Sequence, residues 1–78
     1  MMNSTTSGYE TIRGSDMRRG GVYIELIEHS TGDEVAEIFY AAETREMTIT
    51  IFKNDLPLEA VEMLIDRAKR DLPPVSAA

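Results

Sequence analysis

The chain has no cysteine, no tryptophan, one histidine and three prolines among its 78 residues. Without cysteine there are no disulfides and no thiolate metal sites, and a lone imidazole cannot build a histidine-rich metal site within one chain. Of the supports small domains usually rely on, oligomerisation or an efficient core remains. Long apolar runs are also missing, and none approaches the roughly 20 residues that span a bilayer. The N-terminal stretch MMNSTTSGYETIRGSDMRRGG has no hydrophobic segment of a secretory signal. The expectation is a soluble, cytoplasmic protein with no membrane partner.

Positive charge is the next scarcity. Eight basic residues face fourteen acidic ones, for a net charge of −6. The imbalance is uneven along the chain. Residues 22–78 carry twelve acidic and five basic side chains, a net of −7, whereas residues 1–21 come to +1. Phosphate backbones repel such an acidic body, which argues against direct nucleic-acid binding. A basic protein surface would be attracted to it, chiefly through a faster on-rate.

Catalytic motifs are lacking as well. The stretch STGDE at 30–34 has too few glycines for a phosphate loop and no Walker lysine. Ser30 beside His29 is not a triad, because nucleophile, base and orienting group must meet in space. Carboxylates are so plentiful that no pair stands out as an acid–base couple. His29, flanked by Glu28 with Asp33 and Glu34 nearby, reads as a turn histidine rather than a ligand. The chain is therefore read as non-enzymatic, with no cofactor and no metal. A minor alternative is a small enzyme or ligand-binding protein with a site at a dimer interface, using His29, Glu25 and Glu28.

The patterning that is present describes one small α+β domain. Residues 1–20 are rich in Ser, Thr, Gly and charge, and are expected to form a flexible tail that cannot offset its ordering entropy. Tyr9, Ile12 and Met17 are its only docking candidates. Arg18 and Arg19 are available to a partner's acids or to this fold's own acidic surface. From Val22 the chain alternates, with Val22, Ile24 and Leu26 on one strand face and Tyr23, Glu25, Ile27 and His29 on the other. STGD marks a turn. A second strand follows over 34–41 in one of two phases, burying either Ala36, Ile38 and Tyr40 or Val35, Phe39 and Ala41. A third, MTITIF at 47–52, places Met47, Ile49 and Ile51 on one face, and its β-branched residues suit a pleated surface.

The last stretch reads as a helix. Asn54 or Asp55 is expected to cap it, Pro57 suits its first turn, and Pro73-Pro74 ends it. Leu58, Val61, Leu64, Ile65, Ala68 and Leu72 form its apolar stripe. The expected fold is a two-layer β-β-β-α unit over residues 21–74, a three-stranded antiparallel meander on one helix, with residues 75–78 frayed.

One helix covers one sheet face. The other face is expected to carry Tyr23, Ile27, Phe52 and one of Phe39 or Tyr40, interleaved with Glu25, Thr48 and Thr50, a mixed apolar and polar contact surface. The functional expectation is a small acidic protein–protein interaction module: an adaptor, regulator or inhibitor of a basic-surfaced protein. Its partner-binding residues would be Tyr23, Glu25, Ile27 and Phe52. The alternative is a self-associating structural domain. A homodimer is expected, through the open face or a strand edge, with a monomer whose tail folds over the sheet through Tyr9 and Ile12 as its competitor.

Overall fold

A computed structural model of the chain describes residues 5–6 and 8–73. Five strands lie in chain order in one antiparallel meander. They are β1 (Thr5–Thr6), β2 (Tyr9–Asp16), β3 (Gly21–Glu28), β4 (Glu34–Ala41) and β5 (Glu46–Ile51), and they are followed by the helix α1 (Leu58–Asp71). The α+β class and the single C-terminal helix are as expected. The strand count is not: four long strands and the two-residue β1 replace the expected three.

The difference lies in the segment read as a flexible tail. Tyr9–Asp16 pairs with β3 along its whole length, from Tyr9 opposite Glu28 to Asp16 opposite Gly21. The hairpin loop between them satisfies its own donors. The Asp16 carboxylate accepts hydrogen bonds from the N–H groups of Arg18 (3.0 Å) and Arg19 (3.1 Å), and Gly20 adopts φ +72° with its N–H on the Asp16 carbonyl at 2.9 Å. Thr11 is only 5% exposed, and its hydroxyl accepts a 2.8 Å hydrogen bond from Nη1 of Arg67 on the helix. Tyr9 packs against the core. The strand is held by backbone pairing and a few polar ties, so its sequence shows no apolar stripe. Residues 1–4 and 74–78, including the C-terminus expected to fray, lie outside the described residues.

Ile24, Leu26, Ala36, Ile38 and Tyr40 form the helix side of the sheet, all buried, which settles the phase of β4. Val35 is buried too, because the register between β3 and β4 shifts at Leu26/Ile27 and places an extra residue in β4. The helix contributes Ala60, Leu64, Ala68 and, just past its end, Leu72. This face is rotated from the expected stripe: Leu58 is 73% exposed, and Val61 and Ile65 are partly so. Alanine at two of the four contact positions lets the helix lie close to the sheet.

The helix start also differs from expectation. Pro57 occupies the cap position with extended backbone, and no side chain caps the helix. Its carbonyl instead accepts from the N–H groups of Ala60 and Val61 at 3.0 and 3.2 Å. Asp55 takes φ +58°, turning the chain rather than capping it. Glu59 in the first turn and Lys69 and Arg70 in the last complement the helix dipole, and Arg67 pairs with Asp71 one turn on.

Candidate functional site: the open face of the sheet

Strand register fixes which side chains share the face opposite the helix. One row across the sheet runs Gly14, Tyr23, Phe39, Thr48, and the next runs Ile12, Glu25, Glu37, Thr50. In the row beyond, Glu10 pairs with Ile27, which pairs with Glu34.

The two rings of the first row lie against glycines, Gly14 in the same row and Gly21 in the neighbouring one. A Cβ on Gly14 would run into the Tyr23 ring, and one on Gly21 would meet the Tyr40 carbonyl oxygen and the Phe39 ring. Each aromatic thus lies across a glycine and covers backbone that would otherwise face water. Arg19, from the β2–β3 loop, then folds back over this face. Its guanidinium carbon sits 4.2 Å from the Phe39 ring centre, a cation–π distance.

The same guanidinium forks onto Glu37, with Nη1 to Oε1 at 3.1 Å and Nη2 to Oε2 at 2.8 Å, while its Nε donates to Asp16 at 2.8 Å. Glu37 is 8% exposed. This bidentate geometry is the strong form of the contact. The two carboxylates raise the already high pKa of Arg19, and Arg19 in turn lowers that of Asp16.

One guanidinium does not balance this face. Glu25 stands directly opposite Glu37, and Glu34 joins them, each carboxylate offering an oxygen within 4.8 Å of the others. Like charges directly across a sheet destabilise it. The titration directions agree. Burial, then the Glu37 charge, raises the Glu25 pKa against the pull of Arg19. Burial, then Glu25 and Glu37, raises that of Glu34. As a donor set, three carboxylates suit a hard cation. Within this chain the cation that reaches the cluster is the Arg19 guanidinium, through Glu37.

Of the residues nominated from sequence, Tyr23, Glu25 and Ile27 form one column of β3 on this face. Phe52 lies past the end of β5, two strands away, 56% exposed. The structure therefore does not join all four in one patch. Of the two aromatics left open for this face, Phe39 takes it and Tyr40 is buried; sequence reasoning missed Glu34, Glu37 and Gly14, since the phase of β4 was open and β2 was read as tail. Of the two destinations foreseen for Arg19, it takes the fold's own acidic surface.

His29 sits in the β3–β4 turn, its N–H on the Gly8 carbonyl at 2.8 Å and its Nε2 3.4 Å from the Glu10 carboxylate. Glu28 is engaged elsewhere, by Lys53 at 2.8 and 2.9 Å, Thr31 at 3.1 Å and the Tyr9 hydroxyl at 3.3 Å. Glu25 lies up the strand from both, so the three residues of the minor enzyme reading do not converge on one point.

Among the described residues, no helix is long and apolar enough to cross a membrane. The chain matches no protein-family model, no curated protein and no solved structure at a significant level.

Proposed function

We propose that this protein is a non-enzymatic interaction module that receives a basic protein surface on the open face of its sheet. The observation that carries the reading is the Glu25–Glu34–Glu37 cluster, offset only in part by Arg19. A fold does not oppose carboxylates across a sheet without cost, and such local conflicts concentrate where function requires them. A partner's lysine or arginine set between Glu25 and Glu34 would relieve that repulsion, and Tyr23 and Ile27 beside them supply apolar contact. Phe52, exposed past the end of β5, is not part of this surface.

The test uses a fluorescent oligo-arginine peptide as probe, followed by anisotropy across a salt series. Binding is expected to weaken as salt rises and to fall at least tenfold in Glu25→Gln/Glu34→Gln. A control, Glu59→Gln/Glu62→Gln, removes the same charge from the helix and should leave most of the affinity. Equal losses in the two variants would reduce the effect to overall acidity and overturn the assignment to this face.

A further inference from the structure

The two edges of the sheet are guarded unequally. On the β2 side, the short β1 covers Tyr9 and Glu10, and the rest of that edge, residues 11–16, carries the charges of Arg13 and Asp16 beside the half-exposed Ile12. Charge is a common means of discouraging edge pairing. On β5 it is confined to Glu46, the first residue of the strand. Residues 47–52, MTITIF, hold no charge in a chain that is 28% charged.

The Phe52 N–H donates to the Val35 carbonyl at 2.9 Å while Ile51 stands opposite Ala36. Ile51 and Ala36 are therefore a non-hydrogen-bonded pair, and Glu46, Thr48 and Thr50 direct their backbone groups to β4. The N–H and C=O groups of Met47, Ile49 and Ile51 consequently point out of the sheet. Their side chains lie on the helix side, but α1 approaches β1 to β4 and not β5. An apolar groove of about 220 Å³ is left, bordered by Met47, Ile49, Ile65 and Ala68. Ile49 and Ile51 are 45% and 47% exposed.

We infer that this edge pairs with the β5 of a second copy, antiparallel and centred on Ile49. In that register Met47 faces the partner's Ile51 and Ile49 faces its own copy, so every outward N–H and C=O of the three residues finds a partner. Only odd-numbered residues point outward, so any such pairing sets the apolar side chains of both copies on one side. A one-residue slip would break the backbone bonds. The uncharged stretch is where two chains of net charge −6 can approach without opposed carboxylates; in this register Glu46 stands opposite the partner's Phe52, and Arg45 opposite its Lys53. Pairing one six-residue strand removes less surface than the roughly 800 Å² per partner of a standard interface. The dimer is accordingly a weak one, in the micromolar-to-millimolar range.

The dimer is a continuous sheet with both helices on one side and both open faces on the other. If the open face binds a basic partner as proposed, the assembly presents two acidic clusters on one surface, and a partner with two basic patches gains avidity.

Sedimentation equilibrium of the full chain over a concentration series tests the pairing. Dimer is expected, and it should strengthen with salt as screening reduces repulsion between the acidic bodies, the opposite salt dependence to oligo-arginine binding. Ile49→Lys, which sets two charges against each other at the junction, should be monomeric with an unchanged circular dichroism spectrum. Glu25→Gln/Glu34→Gln should dimerise as well as the parent, so loss of peptide binding and loss of pairing are told apart. Because the chain has no cysteine, Ile49→Cys supplies a readout that does not depend on weakening the interface. Air oxidation should cross-link it at least tenfold faster than Ser15→Cys on the other edge. A chain monomeric up to about 1 mM, a dimer undiminished in Ile49→Lys, or equal cross-linking at the two edges would overturn the inference.

Discussion

The two faces of this sheet are closed by different physics. The helix side is held by burial: Ile24, Leu26 and Ala36 meet Ala60 and Leu64 with no exposed surface on any of them. Among the described residues, the open side has no second layer. It is protected by short-range devices, namely rings laid over Gly14 and Gly21 and an arginine clamped across Phe39 onto Glu37. Non-directional burial tolerates imprecise chemistry so long as volume is kept. The open face depends on particular atoms at particular distances, and its carboxylates leave it strained by like charge. A domain with one helix secures half its sheet cheaply and leaves the other half chemically specific.

The sharpest way to break the comparison is on the buried side. Leu64→Ala removes a fully buried side chain from the centre of the helix contact and should cost about 2–5 kcal/mol. Small domains have roughly 5–15 kcal/mol in all, so urea unfolding should show a large fall in midpoint or outright loss of folding. On the open face, Glu25→Ala should not lower stability at neutral pH. If it cost as much as Leu64→Ala, the distinction between the faces would fail.

Next in size are the glycines. Gly21→Ala drives a Cβ into the Tyr40 carbonyl oxygen as well as the Phe39 ring. Backbone of a central strand pair cannot retreat easily, and a cost of about 1–3 kcal/mol is expected, as for overpacking. Gly14→Ala meets only the Tyr23 ring, which can swing away, and should cost less. Thermal melts of the two variants give the order, and a larger loss at Gly14 would show that the Tyr23 ring is the more firmly held neighbour.

Legibility from sequence follows the same division. The buried side was readable because burial writes a periodic signal: Ile24 and Leu26 alternate, β4 was bounded at 34–41, and the helix declared itself by its spacing. The helix face came out rotated because alanine carries little weight in an apolar stripe, although Ala60 and Ala68 make the closest approach. Asp55 was misread as a cap because its residue type serves a left-handed turn equally well. β2 was missed since YETIRGSD has no apolar period, its place being set by backbone pairing and the reach of Arg67 to Thr11. On the open face the β3 column of Tyr23, Glu25 and Ile27 was legible. The cluster that gives Glu25 its meaning was not, because Glu34 and Glu37 join it only through the register of β4, and Arg19 only through the β2–β3 hairpin.

The smallest effect, and the most specific to the open face, is in pH. The folded pKa values of Glu25 and Glu34 are raised, by burial first and neighbouring carboxylates second. A carboxyl that binds its proton more tightly when folded weakens the fold while ionised, and the penalty lifts as pH falls through its folded pKa toward the ordinary value near 4.5. Asp16 and Glu28 run the other way. Their pKa values are lowered, Asp16 by its hydrogen bonds from Arg19 and Glu28 by Lys53, so their contribution is complete above the ordinary value and is lost as pH falls through the depressed one. Acidification from neutral pH should therefore first raise the melting temperature slightly and, below the ordinary carboxylate range, lower it. Glu25→Gln/Glu34→Gln should melt higher than the parent at neutral pH and lose the initial rise, while keeping the fall. Melting curves read by circular dichroism at constant ionic strength decide the matter. A parent whose stability declines steadily from neutral pH would mean that the clustered carboxylates are already neutralised, and the reason to expect a cationic partner between Glu25 and Glu34 would go with them.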